Sequence, residues 1–399
     1  MAGALAVPLV GSGLAAAAAP PALPAKAAFA PTDLAYLDNG SQHPISLAAK
    51  AAVDAYLAKR TLDPAAAAYE LDEAGPIAKF ARLINADVDE VTYVQSTTTG
   101  EQMVLRALGL PESGGHIVTD TLHFFGSLPL YEEMARQGMA VTWLRPVDGR
   151  IRIEDMRAAV RTGTKLVALS LVSTINGFEH DLKAVCDIAH AHGALVYADI
   201  IHAAGCVPVD VHASGVDFAA CASYKWLMGD FGLGFLYVRK DVLPRLKRTN
   251  YGYYGMAAFQ PHVYPLDPPG GSVAEYRFRP DATGAFALGT HSHAVIAQLN
   301  QSLDYILAMG VPAIQAHAQT MIARLKQELP RRGYTLMTPP EARTPIVTAV
   351  LADARTVLAE PMKAAKVRLT TSGNRFRLTP SVQNDQRDID RFLAALPRA

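Results

Sequence analysis

The sequence of 399 residues lacks three features that would mark broad classes of protein. It has only three cysteines, Cys186, Cys206 and Cys221, too few for a disulfide scaffold and without a CxxC pair that would indicate a metal site. It has no net charge, since 37 basic residues balance 37 acidic ones, which argues against binding nucleic acid or a membrane surface through bulk charge. It also lacks the ~18–20 uninterrupted apolar residues that span a bilayer. Its 50% share of hydrophobic residues instead indicates a large globular core.

The first 32 residues differ in composition from the rest of the chain. Residues 1–25 carry no charge, and Ala25-Lys26-Ala27 matches an A-x-A cleavage pattern, but the basic start of a signal peptide is missing. The segment 1–32 is therefore either signal-like, as in a twin-arginine-type export signal whose basic start lies upstream, or a disordered tail. The first alternative predicts a periplasmic protein and the second a cytoplasmic one, and the sequence leaves both open.

Seven short apolar segments alternate with helical stretches and predict an α/β fold. Several are apolar almost throughout, as strands buried on both faces are. The alternation predicts a large domain built on a mostly parallel, seven-stranded sheet. The predicted strands are 92–95, 116–119, 140–144, 166–172, 194–199, 218–222 and 234–238.

Beyond this region the chain predicts a second, smaller unit. Helical patterns cover 294–307 and 311–329, and two short strands and a final helix follow. We expect a large domain over 33–290, whose first residues contribute to the small domain, and a C-terminal α+β domain over 291–399. Residues 251–271 lack periodicity and predict a long loop.

Two charged residues stand at the ends of predicted strands. Asp199 closes the segment 194–199, and Lys225 follows the segment 218–222, so both can reach the carboxyl edge of the sheet, where such folds bind ligands. Taken alone, Asp199 could cap a helix and Lys225 could extend to solvent. A partly desolvated lysine, however, has a lowered pKa, and its neutral amine can form a Schiff base with an aldehyde.

A lysine and a carboxylate in this arrangement indicate pyridoxal 5′-phosphate (PLP) as the cofactor. The lysine would bind the aldehyde, and the carboxylate would keep the pyridine nitrogen protonated so that the ring can take up electrons. The run Ser96-Thr97-Thr98-Thr99-Gly100 lies between a predicted strand and a predicted helix, where a helix N-terminus can bind a phosphate. Thr98 and Thr99 are the predicted contacts. The paired histidines of the chain lack a third ligand, so we expect no metal.

The motifs taken together resemble the class V aminotransferases of PLP fold type I, a family that includes cysteine desulfurases, kynureninases and isopenicillin N epimerase-like proteins. The resemblance covers roughly residues 36–396 and lies in Thr98-Thr99, Asp199-Ile200-Ile201-His202, Ser223-Tyr224-Lys225 and the segment 232–239. It implies PLP as cofactor, an amino acid as substrate and a homodimer. It also implies that Lys225 forms the Schiff base, that Asp199 pairs with the pyridine nitrogen, and that His202 hydrogen-bonds the ring oxygen.

Five further residues receive roles from the same resemblance. Ser223 and Tyr224 match phosphate contacts, and Thr290 matches a threonine that reaches the phosphate across a dimer interface. Arg377 matches the arginine that binds the substrate α-carboxylate, for which a guanidinium has the right bidentate geometry. His43 lies where relatives bring an N-terminal segment to the substrate.

The sequence departs from the family pattern at two positions of the cofactor site. An aromatic residue should stack on the ring, and the spacing to Pro129 favours Phe124 while the residue type favours His123. The asparagine that relatives place beside the ring is replaced by Thr174, unless Asn176 takes its place.

The reaction stays open between several branches of PLP chemistry. An aminotransferase or epimerase-like enzyme is the leading interpretation, and a cysteine-independent C–S or C–N lyase is the alternative. Relatives that form a persulfide use a cysteine in the C-terminal third, and this sequence has none after Cys221. A non-catalytic interaction module is a remote alternative, because it would predict damage at Lys225, Asp199 or Arg377, and all three are present.

Overall fold

The computed structural model describes residues 22–398. Its strands are β1 (Ala35–Tyr36), β2 (Val91–Val94), β3 (His116–Asp120), β4 (Ala140–Leu144), β5 (Thr164–Ser170), β6 (Leu195–Asp199), β7 (Phe218–Ala222), β8 (Gly234–Val238), β9 (Met256–Pro261), β10 (Ala274–Phe278), β11 (Val347–Val350), β12 (Val367–Arg368), β13 (Thr370–Thr371) and β14 (Arg375–Leu378). Its α-helices are α1 (Leu47–Leu62), α2 (Pro64–Tyr69), α3 (Gly75–Ile84), α4 (Thr97–Ala107), α5 (Leu128–Arg136), α6 (Ile153–Ala159), α7 (Leu182–Ala191), α8 (Val211–Ser214), α9 (Ala282–Phe286), α10 (His293–Met309), α11 (Val311–Arg331), α12 (Ala354–Ala364) and α13 (Gln386–Ala395).

A seven-stranded sheet forms the centre of the molecule. Its strand order is β2-β8-β7-β6-β5-β3-β4, and β8 alone runs antiparallel to both of its neighbours. The other six strands therefore share one direction and present their carboxyl ends at one edge. The predicted α/β fold with a mostly parallel sheet is confirmed.

Both faces of the sheet are buried, which explains why its strands are apolar almost throughout. Along β6, Val196 and Ala198 pack into one cluster of buried residues, and Leu195 and Tyr197 pack into another on the opposite face. Side chains alternate between the faces of a strand, so a strand covered on both sides needs apolar residues at every position. Helices supply the two covering layers.

A smaller α+β unit follows the large sheet. Strands β11, β14 and β13 form an antiparallel sheet, and α11, α12 and α13 pack on it around their own core. The N-terminal strand β1 pairs with β12, so the beginning of the chain completes this unit. Helix α10 packs on α1 and α3 and joins the core of the large sheet. The division at residue 290 stays a prediction, and the packing of α10 favours placing it near Gly310.

Two segments differ from their predicted character. Most of the signal-like or disordered segment, 1–21, lies outside the described residues, and in its described part Ala25 and Phe29 are buried. The predicted loop 251–271 contains β9, which pairs with β10 in an antiparallel hairpin. No helix among residues 22–398 is long and apolar enough to cross a membrane.

Candidate active site

The predicted catalytic residues meet at the carboxyl edge of the sheet. Asp199 is the last residue of β6, Lys225 lies three residues after β7, and the N-terminus of α4 follows β2 at the same edge. The hydroxyl of Thr97, at the start of α4, accepts a hydrogen bond from the Ala222 backbone N–H at 2.9 Å and so joins the helix to β7. The sheet topology thus brings together residues that are 26 to 128 positions apart in sequence.

Lys225 is buried, with 6% of its surface exposed. Its Nζ lies 2.9 Å from Nε2 of His202 and 5.7 Å from the centre of the Tyr224 ring. Burial lowers the pKa of Lys225 to about 8, although the carboxylate of Asp199 opposes this shift and Arg377 adds to it. A larger fraction of this lysine is therefore a neutral amine near neutral pH than of an ordinary lysine, and nucleophilic attack on an aldehyde requires the neutral amine.

His202 is buried beside this amine and is neutral. Burial, followed by the positive charges of Lys225 and Arg377, holds its pKa well below the usual value. The indole Nε1–H of Trp226 donates to Nδ1 of His202 at 3.4 Å. Because Nδ1 accepts this hydrogen bond, the imidazole hydrogen lies on Nε2, the nitrogen that faces Lys225.

Asp199 is also buried, and its carboxylate receives two hydrogen bonds. The backbone N–H of Ile201 donates to Oδ1 at 2.9 Å, and the hydroxyl of Ser170 donates to Oδ2 at 3.2 Å. Burial raises the pKa of Asp199, while His123 and Lys225 act to lower it. The chain turns after Asp199 and does not continue into a helix before α8, so its carboxylate caps no α-helix in the described chain.

Thr98 and Thr99 lie in the first turn of α4, and both are half-buried. The Ser96 hydroxyl caps the helix by accepting from the Thr99 backbone N–H at 3.1 Å. Gly100 lets the helix approach β7 closely, since a Cβ at this position would lie 3.1 Å from the Ala220 side chain. The threonine hydroxyls and the positive end of the helix can bind an anion such as a phosphate.

Arg377 is 91% buried and lies on β14 of the small unit, facing the large one. Its Nη1 donates to the Thr174 backbone oxygen at 3.2 Å and to the Thr174 hydroxyl. Its Nη2 donates to the hydroxyls of Ser41 and Thr370, each at 2.9 Å, and lies 3.6 Å from Asp38. Its buried Nε has no hydrogen-bond partner within the described residues. An incoming carboxylate would satisfy this donor.

Ser223 and Tyr224 occupy different environments. The Ser223 side chain is fully buried, and its hydroxyl donates to backbone oxygens of Asp230 and Leu233 at 2.8 and 2.7 Å. A phosphate would compete with these oxygens for the single hydroxyl hydrogen, and the phosphate contact of Ser223 stays a prediction. Tyr224 is half-buried and stacks on Phe231 at 4.4 Å between ring centres, so its phosphate role stays a prediction.

His43 is buried, and its role as a substrate-binding residue stays a prediction. Nδ1 lies 2.8 Å from the Pro44 backbone oxygen, and Nε2 lies 2.8 Å from the Ser381 hydroxyl, so both ring nitrogens already have partners. Burial lowers the pKa of His43 to about 4. The imidazole is a neutral packing group.

His123 and Phe124, the two candidates for the ring-stacking aromatic, differ in their exposure. His123 is fully buried, with Nε2 3.1 Å from Glu101 and Nδ1 2.8 Å from Ser170. Phe124 is partly exposed, and its ring lies over Gly126, where a Cβ would come within 2.5 Å of it. Of the two candidates, Phe124 is the one with an accessible face, and its stacking on the ring stays a prediction.

Thr174 and Asn176, the two candidates for the position beside the ring, differ in their hydrogen-bond partners. The amide of Asn176 donates to backbone oxygens of Gly149 and Met337 at 2.7 and 3.3 Å, and its side-chain oxygen accepts from the Phe178 N–H at 3.1 Å. Asn176 therefore stabilises the junction of the two units. Thr174 contacts Arg377 as described above.

Thr290 stands apart from the other predicted residues. It is exposed, three residues before the start of α10, and makes no hydrogen bond to the Lys225 region within residues 22–398 of one chain. A role across a dimer interface stays a prediction.

The chemical groups of these residues fit those of PLP. The site offers a buried amine with a pKa of about 8, a buried carboxylate and the accessible hydroxyls at the N-terminus of α4. These groups match the aldehyde, the ring nitrogen and the phosphate of the cofactor in turn. Sequence reasoning missed Glu101, Ser170 and Trp226, since a buried partner carries no local sequence signal.

Comparisons with known proteins identify the family of the chain. Residues 77–360 match the family model described as aminotransferase class-V. The uncharacterized aminotransferase YcbU of Bacillus subtilis is 28% identical over 312 residues, covering 78% of this chain and 79% of the relative. A probable cysteine desulfurase of Methanothermobacter thermautotrophicus is 29% identical over 305 residues, covering 73% and 72%.

Solved structures show the same fold. The cystine C–S lyase C-DES superposes with a TM-score of 0.80 at 19% identity, over 90% of this chain and 96% of that one. A further structure of C-DES, with a TM-score of 0.78 at 20% identity over 90% and 95% of the two chains, has glycine covalently linked to its PLP cofactor.

The fold and the site define a PLP-dependent enzyme of fold type I that processes amino acids. The chain belongs to the class V aminotransferase family, and its cofactor is PLP.

Proposed function

We propose that the protein is an aminotransferase or epimerase-like enzyme that moves the α-proton of an amino acid. The observation that carries this proposal is the buried Lys225 amine, whose pKa lies at about 8 and which is 2.9 Å from His202. A buried group whose pKa lies near the working pH can accept a proton from carbon and return it. PLP, when bound, supplies the electron-accepting ring that makes this proton acidic.

Each of the surrounding residues has a distinct task in this proposal. Arg377 binds the substrate α-carboxylate through its guanidinium, whose buried Nε has no hydrogen-bond partner within the described residues. Asp199 would hold the proton of the cofactor's ring nitrogen, and the Nε2–H of His202, which faces Lys225 in this structure, would donate to the ring oxygen. Lys225, once displaced by the substrate amine, carries the proton from the substrate α-carbon. Phe124 covers one face of the ring.

A cysteine-independent C–S or C–N lyase is the second candidate, supported by the state of the three cysteines. Burial raises the pKa of Cys186 to about 12 and raises those of Cys206 and Cys221 well above the ordinary value. The thiolate is the nucleophilic form of cysteine, so none of the three is suited to accept sulfur from a substrate. A lyase acting without a cysteine nucleophile remains compatible with the site.

The first experiment tests whether Lys225 is the residue that binds PLP. Borohydride reduction of the loaded protein should fix the cofactor on Lys225, as shown by peptide mass spectrometry, and Lys225→Ala should lose the adduct. Lys79→Ala, which changes a lysine paired with Asp304 far from these residues in sequence, is the control and should keep it. An adduct on another lysine of the wild-type protein would contradict the assignment.

The second experiment distinguishes the two reactions. An aminotransferase converts its PLP to the pyridoxamine form with an amino acid, and a keto acid restores the original absorbance. A lyase instead releases a keto acid and ammonia continuously without a keto-acid acceptor. An epimerase exchanges the α-hydrogen with solvent deuterium and inverts the α-carbon. A panel of amino acids followed by absorbance, ammonia release and deuterium incorporation separates the three.

We also propose a homodimer. The hairpin of β9 and β10 exposes Phe259, Val263, Tyr264, Leu266 and Tyr276. An isolated two-stranded sheet is marginally stable in water, and an exposed apolar patch of this kind favours association. Light scattering of the loaded protein should give twice the mass of the chain. A fully loaded and active monomer would contradict the proposal.

A further inference from the structure

Three polar side chains from two distant segments meet at Nη2 of Arg377. Asp38 and Ser41 belong to the turn that follows β1, and the Ser41 backbone N–H closes this turn on the Asp38 backbone oxygen at 3.0 Å. Thr370 lies on β13 and is the residue paired with Arg377 where β13 runs beside β14. The fold of the small unit thus brings a carboxylate and two hydroxyls to one nitrogen of the guanidinium.

The chemistry of these groups fixes the direction of their hydrogen bonds. A guanidinium only donates, so the hydroxyls of Ser41 and Thr370 both accept from Nη2, each at 2.9 Å. A carboxylate only accepts, so the same two hydroxyls donate to Oδ1 of Asp38, that of Ser41 at 2.8 Å. The two hydroxyl oxygens also lie 3.2 Å apart, but the charged carboxylate is the stronger acceptor of their hydrogens.

This assignment leaves one hydrogen of the Arg377 guanidinium free. The two on Nη1 go to the backbone oxygen and hydroxyl of Thr174, and the two on Nη2 go to the hydroxyls of Ser41 and Thr370. The hydrogen on Nε has no acceptor within residues 22–398, although this nitrogen is buried. A buried donor without a partner is unfavourable, so its presence here indicates an acceptor supplied by a ligand.

Asp38 is held close to Arg377 without contacting it. Its Oδ1 lies 3.6 Å from Nη2, although both side chains are mostly buried, with 15% and 10% of their surfaces exposed. A carboxylate and a guanidinium with nothing between them approach to about 2.8 Å. The hydroxyls of Ser41 and Thr370 bridge the two groups and prevent this approach. In direct contact, Asp38 would compete for Arg377 with the carboxylate of a substrate.

The orientation of Arg377 matters to the site because its charge acts on the neighbouring groups. After burial, this charge contributes to the lowered pKa of both Lys225 and His202. An arginine side chain is also long and flexible, and a ligand that has to order it binds more weakly. A guanidinium that is already held in place avoids this loss of affinity.

We propose that Ser41 and Thr370 are positioning residues that hold Nη2 of Arg377 and keep Asp38 from pairing with it, so that the Nε–H stays open to the substrate α-carboxylate. Asp38 contributes by accepting both hydroxyl hydrogens, which turns the oxygen lone pairs toward the guanidinium. The inference rests on the proposed function, in which Arg377 binds this carboxylate. The hydrogen bonds themselves are present in the protein without a substrate.

The first experiment follows the Nε–H of Arg377 by ¹⁵N–¹H NMR of the full-length, PLP-free protein labelled at arginine. Arg377→Lys identifies the signal, and acetate is the carboxylate probe. The signal should shift as acetate accepts from Nε. The acetate concentration at half of the shift should rise by about tenfold in Thr370→Val and in Ser41→Ala, the scale of one hydrogen bond to a charged group. Thr370→Ser keeps a hydroxyl and should retain the wild-type value.

Two outcomes of this titration would overturn the proposal. The first is a wild-type Arg377 signal that does not respond to acetate, because the Nε–H would then not be open to a carboxylate. The second is a half-shift concentration in Thr370→Val and Ser41→Ala that equals the wild-type value, because the hydroxyls would then have no part in positioning.

Asp38→Asn tests whether the hydroxyls keep the carboxylate away from Arg377. In Ser41→Ala/Thr370→Val nothing separates Asp38 from Arg377, and acetate should bind more weakly than in either single variant. Adding Asp38→Asn removes the competing charge and should strengthen acetate binding by about tenfold in this background. In the otherwise wild-type protein the amide oxygen still accepts from both hydroxyls, and acetate binding should not strengthen to that extent. Equal effects in the two backgrounds would overturn the proposal.

Two neighbouring residues provide matched controls. Thr371 follows Thr370 on β13, and its side chain points to the opposite face of the strand. The hydroxyl of Ser372 donates to the Arg375 backbone oxygen at 3.2 Å. Thr371→Val and Ser372→Ala should keep acetate binding within about twofold of wild type. If they weaken it as much as Thr370→Val and Ser41→Ala do, the effect is general damage to the small unit and the proposal is overturned.

The PLP-loaded enzyme provides a separate readout, with the amino acid that reacts fastest in the panel described above. Thr370→Val should raise KM by about tenfold and change kcat little, because positioning of the carboxylate serves the bound substrate and the transition state equally. If acetate binding responds as expected in a protein that processes no amino acid, the proposed function fails while the positioning of Arg377 stands. If amino acids are processed and Thr370→Val changes neither KM nor acetate binding, the positioning fails while the function stands.

Discussion

Nε2 of His202 lies 2.9 Å from the amine of Lys225, and the opposite nitrogen of the same ring accepts a hydrogen bond from the indole of Trp226. This pairing orients a donor toward the lysine. A protonated amine has no lone pair to accept the Nε2–H, so the geometry favours the neutral lysine in addition to the effect of burial. Through His202, the indole of Trp226 thus favours the neutral form of Lys225, the residue that directly precedes it in sequence.

The first prediction concerns Trp226→Phe. The change removes the N–H and keeps most of the ring packing, so the hydrogen of His202 can move to Nδ1 and Nε2 can accept from a charged amine. The pKa of Lys225 should rise by about one unit. The pH dependence of the rate at which the PLP-free protein binds PLP reports this pKa. Trp143→Phe, at the only other tryptophan, is the control and should leave the profile unchanged.

The second prediction concerns the stability of the PLP-free protein. Lys225 has a pKa of about 8 in the folded state and 10.5 as its ordinary value, so the unfolded state binds more protons between these values. The cost of burying its charge is complete below pH 8 and disappears as the pH rises toward 10.5. Lys225→Met should therefore be more stable than wild type at pH 7, by up to about 3 kcal/mol.

Urea unfolding at several pH values tests this expectation. The difference in unfolding free energy between Lys225→Met and wild type should shrink steadily from pH 8 to pH 10. A constant difference over this range would show that the folded protein does not lower the pKa of Lys225.

The third prediction concerns Asp199→Asn. A neutral amide cannot hold the proton of the ring nitrogen, so the turnover rate should fall by at least ~10²-fold, the scale of removing one preorganised electrostatic contact. PLP binding should weaken far less, because the lysine and α4 still hold the cofactor. Turnover within a few-fold of wild type would remove the carboxylate from the mechanism.

The fourth prediction concerns Arg377→Gln. Loss of the guanidinium should raise KM for α-amino acids by about tenfold or more, since hydrogen bonds between charged groups contribute ~1.5–3 kcal/mol each. Binding of an amine without a carboxylate should be little affected. Arg375→Gln, two residues earlier on β14 and partly exposed, is the matched control. Equal effects of the two variants would argue against a carboxylate site at Arg377.

The strands of the large sheet could be predicted from the sequence because both faces of this sheet are buried. All seven segments form strands, since strands covered on both faces need continuous apolar runs, and these are easily recognised. Asp199 and Lys225 could be predicted for the same reason, because a charged residue at the end of such a run is conspicuous. The hairpin of β9 and β10 could not, since its exposed strands have no core to impose a pattern.

The environment of single side chains was the harder part to predict. Ser223 and His43 lie in the expected segments, but their hydrogen bonds go to neighbouring backbone and a serine rather than to an open cleft. The chain from Glu101 through His123 and Ser170 joins residues 98 positions apart, from Glu101 to Asp199. No local pattern records such contacts, because they depend on the order of strands in the sheet.

The packed segment before β1 has a consequence for how the two units can move. The Ala25 N–H donates to the Val382 oxygen of the small unit at 2.7 Å, and Phe29 packs in a cluster with Met228 of the large unit. These few residues therefore act as a clasp across the boundary, in the same cluster as Met309 and Val311, which flank the connection through Gly310. A chain shortened to begin at Asp33 would lose the clasp, and its small unit would rotate more freely about that connection. Its cleft would then exchange solvent and ligand faster, and Arg377 would be held less firmly over the substrate.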